Sequence, residues 1–138
     1  MSQISPEAWV AGELHEPDFS LIAEQGVFVV ISLLQAEAER CDEAACASEA
    51  HMVFERLPID DTDALTQVNM MQLDRLIRMY HGKPLLLHCT NRERAAAAWA
   101  LRMGWLRGRK MDLCLQAAEE HGVGELKDEL HKRLLVPR

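Results

Sequence analysis

The sequence contains no Cys-x-x-Cys pair, although it has four cysteines, at Cys41, Cys46, Cys89 and Cys114. Structural zinc sites and disulfide scaffolds depend on regularly paired cysteines, so the spacing predicts neither kind of structure here. We therefore expect free thiols in a reducing compartment and no metal site. Cys41 and Cys46 are interpreted as small residues on a polar helix.

The sequence also lacks an excess of positive charge, and it lacks an apolar run long enough to cross a membrane. Its formal net charge is −7, whereas binding to a nucleic-acid backbone requires a basic face. The longest apolar runs, residues 27–31 and 95–101, fall far short of the roughly 20 residues of a membrane helix. The first seven residues resemble no signal peptide. These features predict a cytoplasmic protein that binds neither nucleic acid nor a membrane.

No internal repeat, linker or low-complexity tract divides the 138 residues, of which 49% are apolar, so we predict one domain, 1–138. Short apolar runs alternate with longer amphipathic segments, which indicates an α/β fold with a largely parallel sheet. The predicted strands are residues 9–11 (at a sheet edge), 27–33 (buried on both faces), 52–57 and 85–88. The predicted helices are residues 16–25, 35–50 (with its charges in solvent), 64–81, 95–106, 111–121 and 125–135.

One stretch, residues 84–101, joins a buried strand to an alanine-rich helix through a short polar loop. The amino terminus of a helix directs backbone N–H groups and a positive dipole end at one point, which favours a bound anion. The same field favours a thiolate at Cys89 over a thiol, and a thiolate is the nucleophilic form of cysteine. Arg94 would add a fork of donors for a tetrahedral anion. The stretch therefore predicts a cysteine nucleophile inside an anion-binding loop.

The order His88-Cys89, short polar loop, arginine and helix resembles the phosphate-binding loop of cysteine-dependent protein phosphatases. It is most similar to a small bacterial branch of tyrosine- or dual-specificity-phosphatase-like proteins, some of whose relatives are fused to β-lactamase-like hydrolases. The likeness extends over about residues 5–124 and includes the opening segment 5–33 and the acidic loop 57–61. The resemblance implies a single phosphatase-like domain, with a sheet of four to five strands flanked by helices.

The resemblance also implies a role for each residue of the loop. Cys89 would be the nucleophile, Arg94 would bind the anion, and His88 would orient the loop and help to hold the thiolate. Asp61 would be the general acid that protonates the leaving oxygen. The remaining members of the predicted anion-binding loop are Thr90, Asn91, Arg92 and Glu93.

Two assignments stay open at the level of the sequence. Asp60 and Asp63 are alternatives to Asp61 as the acid, and all three precede a predicted helix, where an aspartate also serves as a cap. Asp63 is predicted to be the better cap. Arg92 competes with Arg94 for the anion, because sequence does not say which guanidinium points inward.

Three functions are compatible with this loop. The first is hydrolysis of phosphomonoesters through Cys89. The second is sulfur transfer through a Cys89 persulfide, because Arg94 lies five positions after Cys89 as in rhodanese-type sulfurtransferases. The third is an impaired pseudophosphatase that acts as a binding module, since Ala95 replaces the hydroxyl residue that commonly assists the leaving thiolate in the phosphatases. The expected partner is a small phosphorylated or sulfur-donor substrate, with no cofactor, and the sequence does not identify a protein partner.

Overall fold

The computed structural model describes residues 1–59, 61–107 and 116. Asp60, Cys114 and the predicted helix 125–135 lie outside the described residues, as does the predicted helix 111–121 except for Gln116, which is helical. The prediction of one domain over residues 1–138 is therefore tested here only for the described part of the chain.

The described residues form one α/β layer structure around a five-stranded sheet. The strand order is β1-β2-β5-β3-β4, in which β1 runs antiparallel to β2 and the other three pairings are parallel. This confirms the predicted, largely parallel sheet. The strands are β1 (Ser2–Ser5), β2 (Ala8–Ala11), β3 (Val29–Ser32), β4 (Val53–Arg56) and β5 (Leu85–His88).

Four α-helices cover the two faces of the sheet. Side chains of Val30 and Leu86 pack with α1 and α2, whereas Ile31 and Leu87 pack with α3 and α4. Each interior strand therefore buries alternate residues on opposite sides, which explains why its sequence is apolar without a break. The helices are α1 (Glu16–Glu24), α2 (Glu43–Glu49), α3 (Gln67–Met79) and α4 (Arg92–Leu106), and short 3-10 turns occupy Ala36–Ala38 and Thr62–Ala64.

Two strand assignments differ from the prediction. The segment 9–11 was predicted at a sheet edge, but β2 lies inside the sheet because residues 2–5 form an extra strand, β1, outside it. The segment 27–33 was predicted to be buried on both faces, and this is confirmed, since all four residues of β3 are buried.

The predicted helix 35–50 is wrong in its extent and in the placement of its charges. A 3-10 turn stands at its start, and α2 begins only after Asp42, whose side chain accepts a hydrogen bond from the backbone N–H of Ala45 at 3.2 Å. Glu43 does not face solvent but is fully buried, with 0% of its surface exposed. A similar cap shortens the predicted helix 64–81, because the Thr66 hydroxyl accepts from Asn69 N–H at 3.2 Å and α3 begins at residue 67.

The parallel pairing places the site at one edge of the sheet. Ala11 of β2 and Ser32 of β3 both lie opposite His88, the last residue of β5. The carboxyl ends of these three strands therefore meet, and ligands of open parallel sheets bind at this edge.

Candidate active site

A three-residue connection joins β5 to α4. The strand ends at His88 and the helix begins at Arg92, so residues 89–91 form the whole turn. Asn91 is the cap of α4, since its side-chain oxygen accepts a hydrogen bond from the backbone N–H of Arg94 at 2.8 Å. A cap of this kind stabilises a helix by about 1 kcal/mol relative to alanine. The sequence thus directs the amino terminus of α4 at the end of β5, as predicted.

The connection is tight and is supported from below by the end of β2. A Cβ atom at Gly12 would lie 3.3 Å from the backbone nitrogen of Arg92 and 3.5 Å from the carbonyl oxygen of Thr90. Only a glycine lets the two backbones approach so closely without a shift. Among the described non-glycine residues, positive φ occurs at His51 alone. The turn at 89–91 therefore adopts no left-handed backbone and needs no glycine of its own.

Cys89 and Arg94 face each other across the turn. Cys89 is fully buried, and Nη1 of Arg94 lies 3.4 Å from its Sγ atom. Nε of Arg94 is buried and has no hydrogen-bond partner among the described residues. A guanidinium that contacts the sulfur and retains an unused donor is suited to bind an anion next to that sulfur.

Arg92 points in another direction. Its Nη1 atom donates to the hydroxyl of Ser2 on β1 at 3.0 Å, and its side chain is exposed. Of the two arginines that competed in the sequence, Arg94 is therefore the one beside Cys89. Arg92 instead borders a shallow hollow at the sheet edge, whose lining residues are Met1, Ala11, Gly12, Asn91, Arg92 and Glu93.

Thr90 and Glu93 complete the predicted anion-binding loop. Thr90 is exposed, whereas Glu93 is half-buried and lies in the first turn of α4. A carboxylate is favourable at that position because it faces the positive end of the helix dipole. Thr90 belongs to the turn itself, and Glu93 belongs to the helix that follows it.

His88 makes a buried contact that the sequence analysis missed. Its Nε2 atom lies 2.6 Å from Oε1 of Glu43, and both side chains are 0% exposed. Glu43 was predicted to be solvated because it stands in an acidic run. Its spacing of four residues from Ala47, which is also buried, was the available signal, since such residues share one face of a helix.

The acidic loop before α3 starts close to the cysteine. The carbonyl oxygen of Ile59 lies 4.0 Å from Cys89 Sγ, and the Ile59 N–H donates to the carbonyl of Leu33 at 2.8 Å. Asp61 is exposed and accepts a hydrogen bond from Ala64 N–H at 2.9 Å, so Asp61 caps the 3-10 turn. The prediction that Asp63 is the better cap is wrong, because Asp63 lies inside that turn.

The described residues hold no group of three histidine, cysteine or acidic side chains arranged to bind a metal ion. Over the same part of the chain, no helix has the length and apolar character needed to span a membrane.

Comparison with known proteins gives matches to solved structures alone, since no family model and no curated protein matches the sequence. The catalytic core of the PP-IP phosphatase SIW14 from S. cerevisiae is similar with a TM-score of 0.81 at 9% identity, over 99% of this chain and 84% of that chain. Tk-PTP in its active form gives a TM-score of 0.80 at 18% identity, over 96% and 94% of the two chains.

A third similar structure is a DUF442 protein with an inferred phosphatase activity from Shewanella putrefaciens CN-32. It gives a TM-score of 0.75 at 22% identity, over 96% of this chain and 89% of that chain. Sequence identity is low in all three cases, so the similarity lies in the fold. The chain has the α/β fold of the protein-tyrosine and dual-specificity phosphatases, as the resemblance of its loop implied.

Proposed function

We propose that the protein hydrolyses small phosphomonoesters with Cys89 as the nucleophile. The observation that carries this proposal is the 3.4 Å contact between Arg94 Nη1 and Cys89 Sγ at the amino terminus of α4. A nucleophile and a cationic anion clamp share one point there, on a fold that known phosphatases also have. A pseudophosphatase with its arginine turned away from the cysteine would lack this contact.

The reaction has two steps, in both of which sulfur and phosphorus exchange partners. The Cys89 thiolate attacks phosphorus, so that an S–P bond forms while the P–O bond to the leaving group breaks. The carboxyl group of Asp61 gives its proton to the leaving oxygen. Water then attacks the thiophosphate and passes a proton back to Asp61, and the S–P bond breaks to release phosphate and the thiolate.

Catalysis in this scheme is mainly electrostatic. Charge spreads over the three equatorial oxygens of the transferring phosphoryl group in the transition state. Arg94 offers Nη1 and the unpartnered Nε to those oxygens, and the first N–H groups of α4 point to the same place. These donors are already held in position by the fold, so they require no rearrangement during the reaction.

The wild-type protein is expected to release p-nitrophenol from p-nitrophenyl phosphate, and the accumulation of phosphorylated Cys89 can be followed by acid quench and mass spectrometry. Because Ala95 is fully buried and supplies no hydroxyl to the departing thiolate, we expect the second step to be slow and the adduct to accumulate. Absence of both nitrophenol and adduct would contradict the proposal.

The same preparation separates the alternative function. Cys89 and Arg94 are five positions apart, a spacing that also suits sulfur transfer. Transfer of sulfur from thiosulfate to cyanide, with a persulfide on Cys89 and no phosphate release, would replace the phosphatase proposal by a sulfurtransferase. Neither reaction, with phosphate still bound, would indicate a binding module.

The role of Asp61 is tested by its leaving-group dependence. Asparagine keeps the cap on Ala64 N–H but has no acidic proton, so Asp61→Asn separates capping from catalysis. We expect it to lower kcat for an alkyl phosphate by about 10²-fold or more and for p-nitrophenyl phosphate much less, because nitrophenolate needs little protonation. Asp63→Asn is the matched control. An equal loss for both substrates would contradict the assignment.

A further inference from the structure

The two residues at the end of β5 belong to opposite faces of the sheet. Leu87 and Cys89 pack with α3 and α4, whereas Leu86 packs with α1 and α2. The alternation of a strand places His88 on the side of Leu86. This agrees with its contact to Glu43, the first residue of α2. Glu43 therefore reaches the catalytic turn from behind the sheet and does not touch the anion site.

The Glu43–His88 pair is fully enclosed. The 2.6 Å separation between His88 Nε2 and Glu43 Oε1 requires a proton between the two atoms, so the pair is joined by a hydrogen bond to an acidic group. Glu43 Oε2 and His88 Nδ1 are buried without a partner among the described residues. A buried carboxylate is costly and is seldom maintained without a compensating role.

The charged groups around the pair are few. The carboxylate of Glu39 accepts from the backbone N–H of Glu43 at 3.4 Å and is itself bound by Arg56, whose Nε lies 3.0 Å away. On the other face of the sheet Arg94 contacts Cys89. The Glu39 charge is therefore already paired, and among these neighbours only Glu43 has its side chain bonded to His88.

We propose that Glu43 is a positioning residue for Cys89 and acts through His88. The proposal rests on the function proposed above for the reaction step, but not for its effect on the sulfur itself. A carboxylate that accepts from one ring nitrogen fixes the tautomer and the orientation of an imidazole. The backbone of His88 is held in turn, because its carbonyl accepts from Leu33 N–H at 2.9 Å.

The pair also sets a local field. Hydrogen bonding to Glu43 polarises the imidazole, so that positive charge lies on the ring, one residue from Cys89, and negative charge lies beyond it on α2. This arrangement favours the thiolate. Loss of the carboxylate releases the ring from its fixed tautomer and removes that polarisation.

The test uses Glu43→Gln, which keeps the shape of the side chain and removes its charge. The thiolate of Cys89 is titrated against pH by its ultraviolet absorbance, with the spectrum of Cys89→Ser subtracted. We expect the midpoint to move upward by about one pH unit and kcat to fall about tenfold with KM unchanged. Glu49→Gln, at the exposed end of the same helix, should leave the midpoint and kcat at their wild-type values.

A pair of substitutions at His88 gives an independent measure. His88→Gln places an amide N–H near the position of Nε2 and can still reach Glu43, whereas His88→Asn is too short to do so. We expect the glutamine variant to keep a midpoint closer to wild type than the asparagine variant. Combining Glu43→Gln with His88→Asn should add no further shift, because residues that act as one unit are not additive.

Thermal unfolding of each variant identifies any that fails to fold, and the His88 pair then decides if Glu43→Gln is lost. Wild-type midpoints in folded Glu43→Gln, or equal midpoints for His88→Gln and His88→Asn, would overturn the proposal. If wild-type protein shows no hydrolysis but the midpoints move as expected, the proposed function fails and the positioning role stands.

Discussion

Cys89→Ser is expected to reduce hydrolysis of p-nitrophenyl phosphate by at least about 10⁴-fold, since removal of a nucleophile usually leaves only the residual catalysis of the surrounding site. The serine hydroxyl is not ionised near neutral pH, and no described residue is placed as a base to activate it. The substitution exchanges sulfur for the smaller oxygen in a fully buried position. The measurement is the initial rate across a range of enzyme concentrations, together with the thermal unfolding midpoint.

Two comparisons make the result of Cys89→Ser specific. Inorganic phosphate should still bind to this variant in calorimetry, because Arg94 and the amino terminus of α4 are unchanged. Cys46→Ser alters a half-buried cysteine on α2 and should retain the wild-type rate. Equal activity of Cys89→Ser and wild type would show that the nucleophile has been assigned to the wrong residue.

Arg94→Lys is the second substitution with a large expected effect. Lysine keeps the positive charge but offers one ammonium in place of a planar fork, so it cannot contact the sulfur and two phosphoryl oxygens together. We expect kcat to fall by about 10² to 10³, the usual loss when a donor to the transition state is removed. KM should change less, because the remaining charge still attracts the substrate.

Arg92→Lys is the matched control for Arg94→Lys. Arg92 lies two positions away, carries the same charge and points at Ser2 instead of Cys89. Its replacement should change kcat by about twofold or less, as is usual for a surface side chain outside the transition state. If the two lysine variants showed the reverse order, the anion would be bound by Arg92.

The parts of the fold that follow from local pattern were predictable from the sequence. The β-branched run of β3 and the apolar stripe of α3 each contain the information for their own burial. The turn between β5 and α4 is equally local, which is why Cys89 and Arg94 could be selected as partners before their contact was seen. Asp61 was recognised in its second role, as a cap, for the same reason.

The parts that could not be predicted depend on contacts between distant residues. β1 carries little apolar signal, and it is a strand because β2 lies beside it. The burial of Glu43 is settled by a histidine 45 positions further along the chain. The choice between Arg92 and Arg94 is settled by Ser2, which is 90 positions away. No periodicity within a single segment contains these three facts.

The hollow beside Arg92 has a practical consequence for handling the protein. Met1 lines that hollow together with Gly12 and Asn91, and Ser2 bonds to Arg92 at the start of α4. An affinity tag fused ahead of Met1 would therefore leave the protein within contact distance of the candidate active site. Activities measured on amino-terminally tagged material should be compared with those of protein from which the tag has been cleaved.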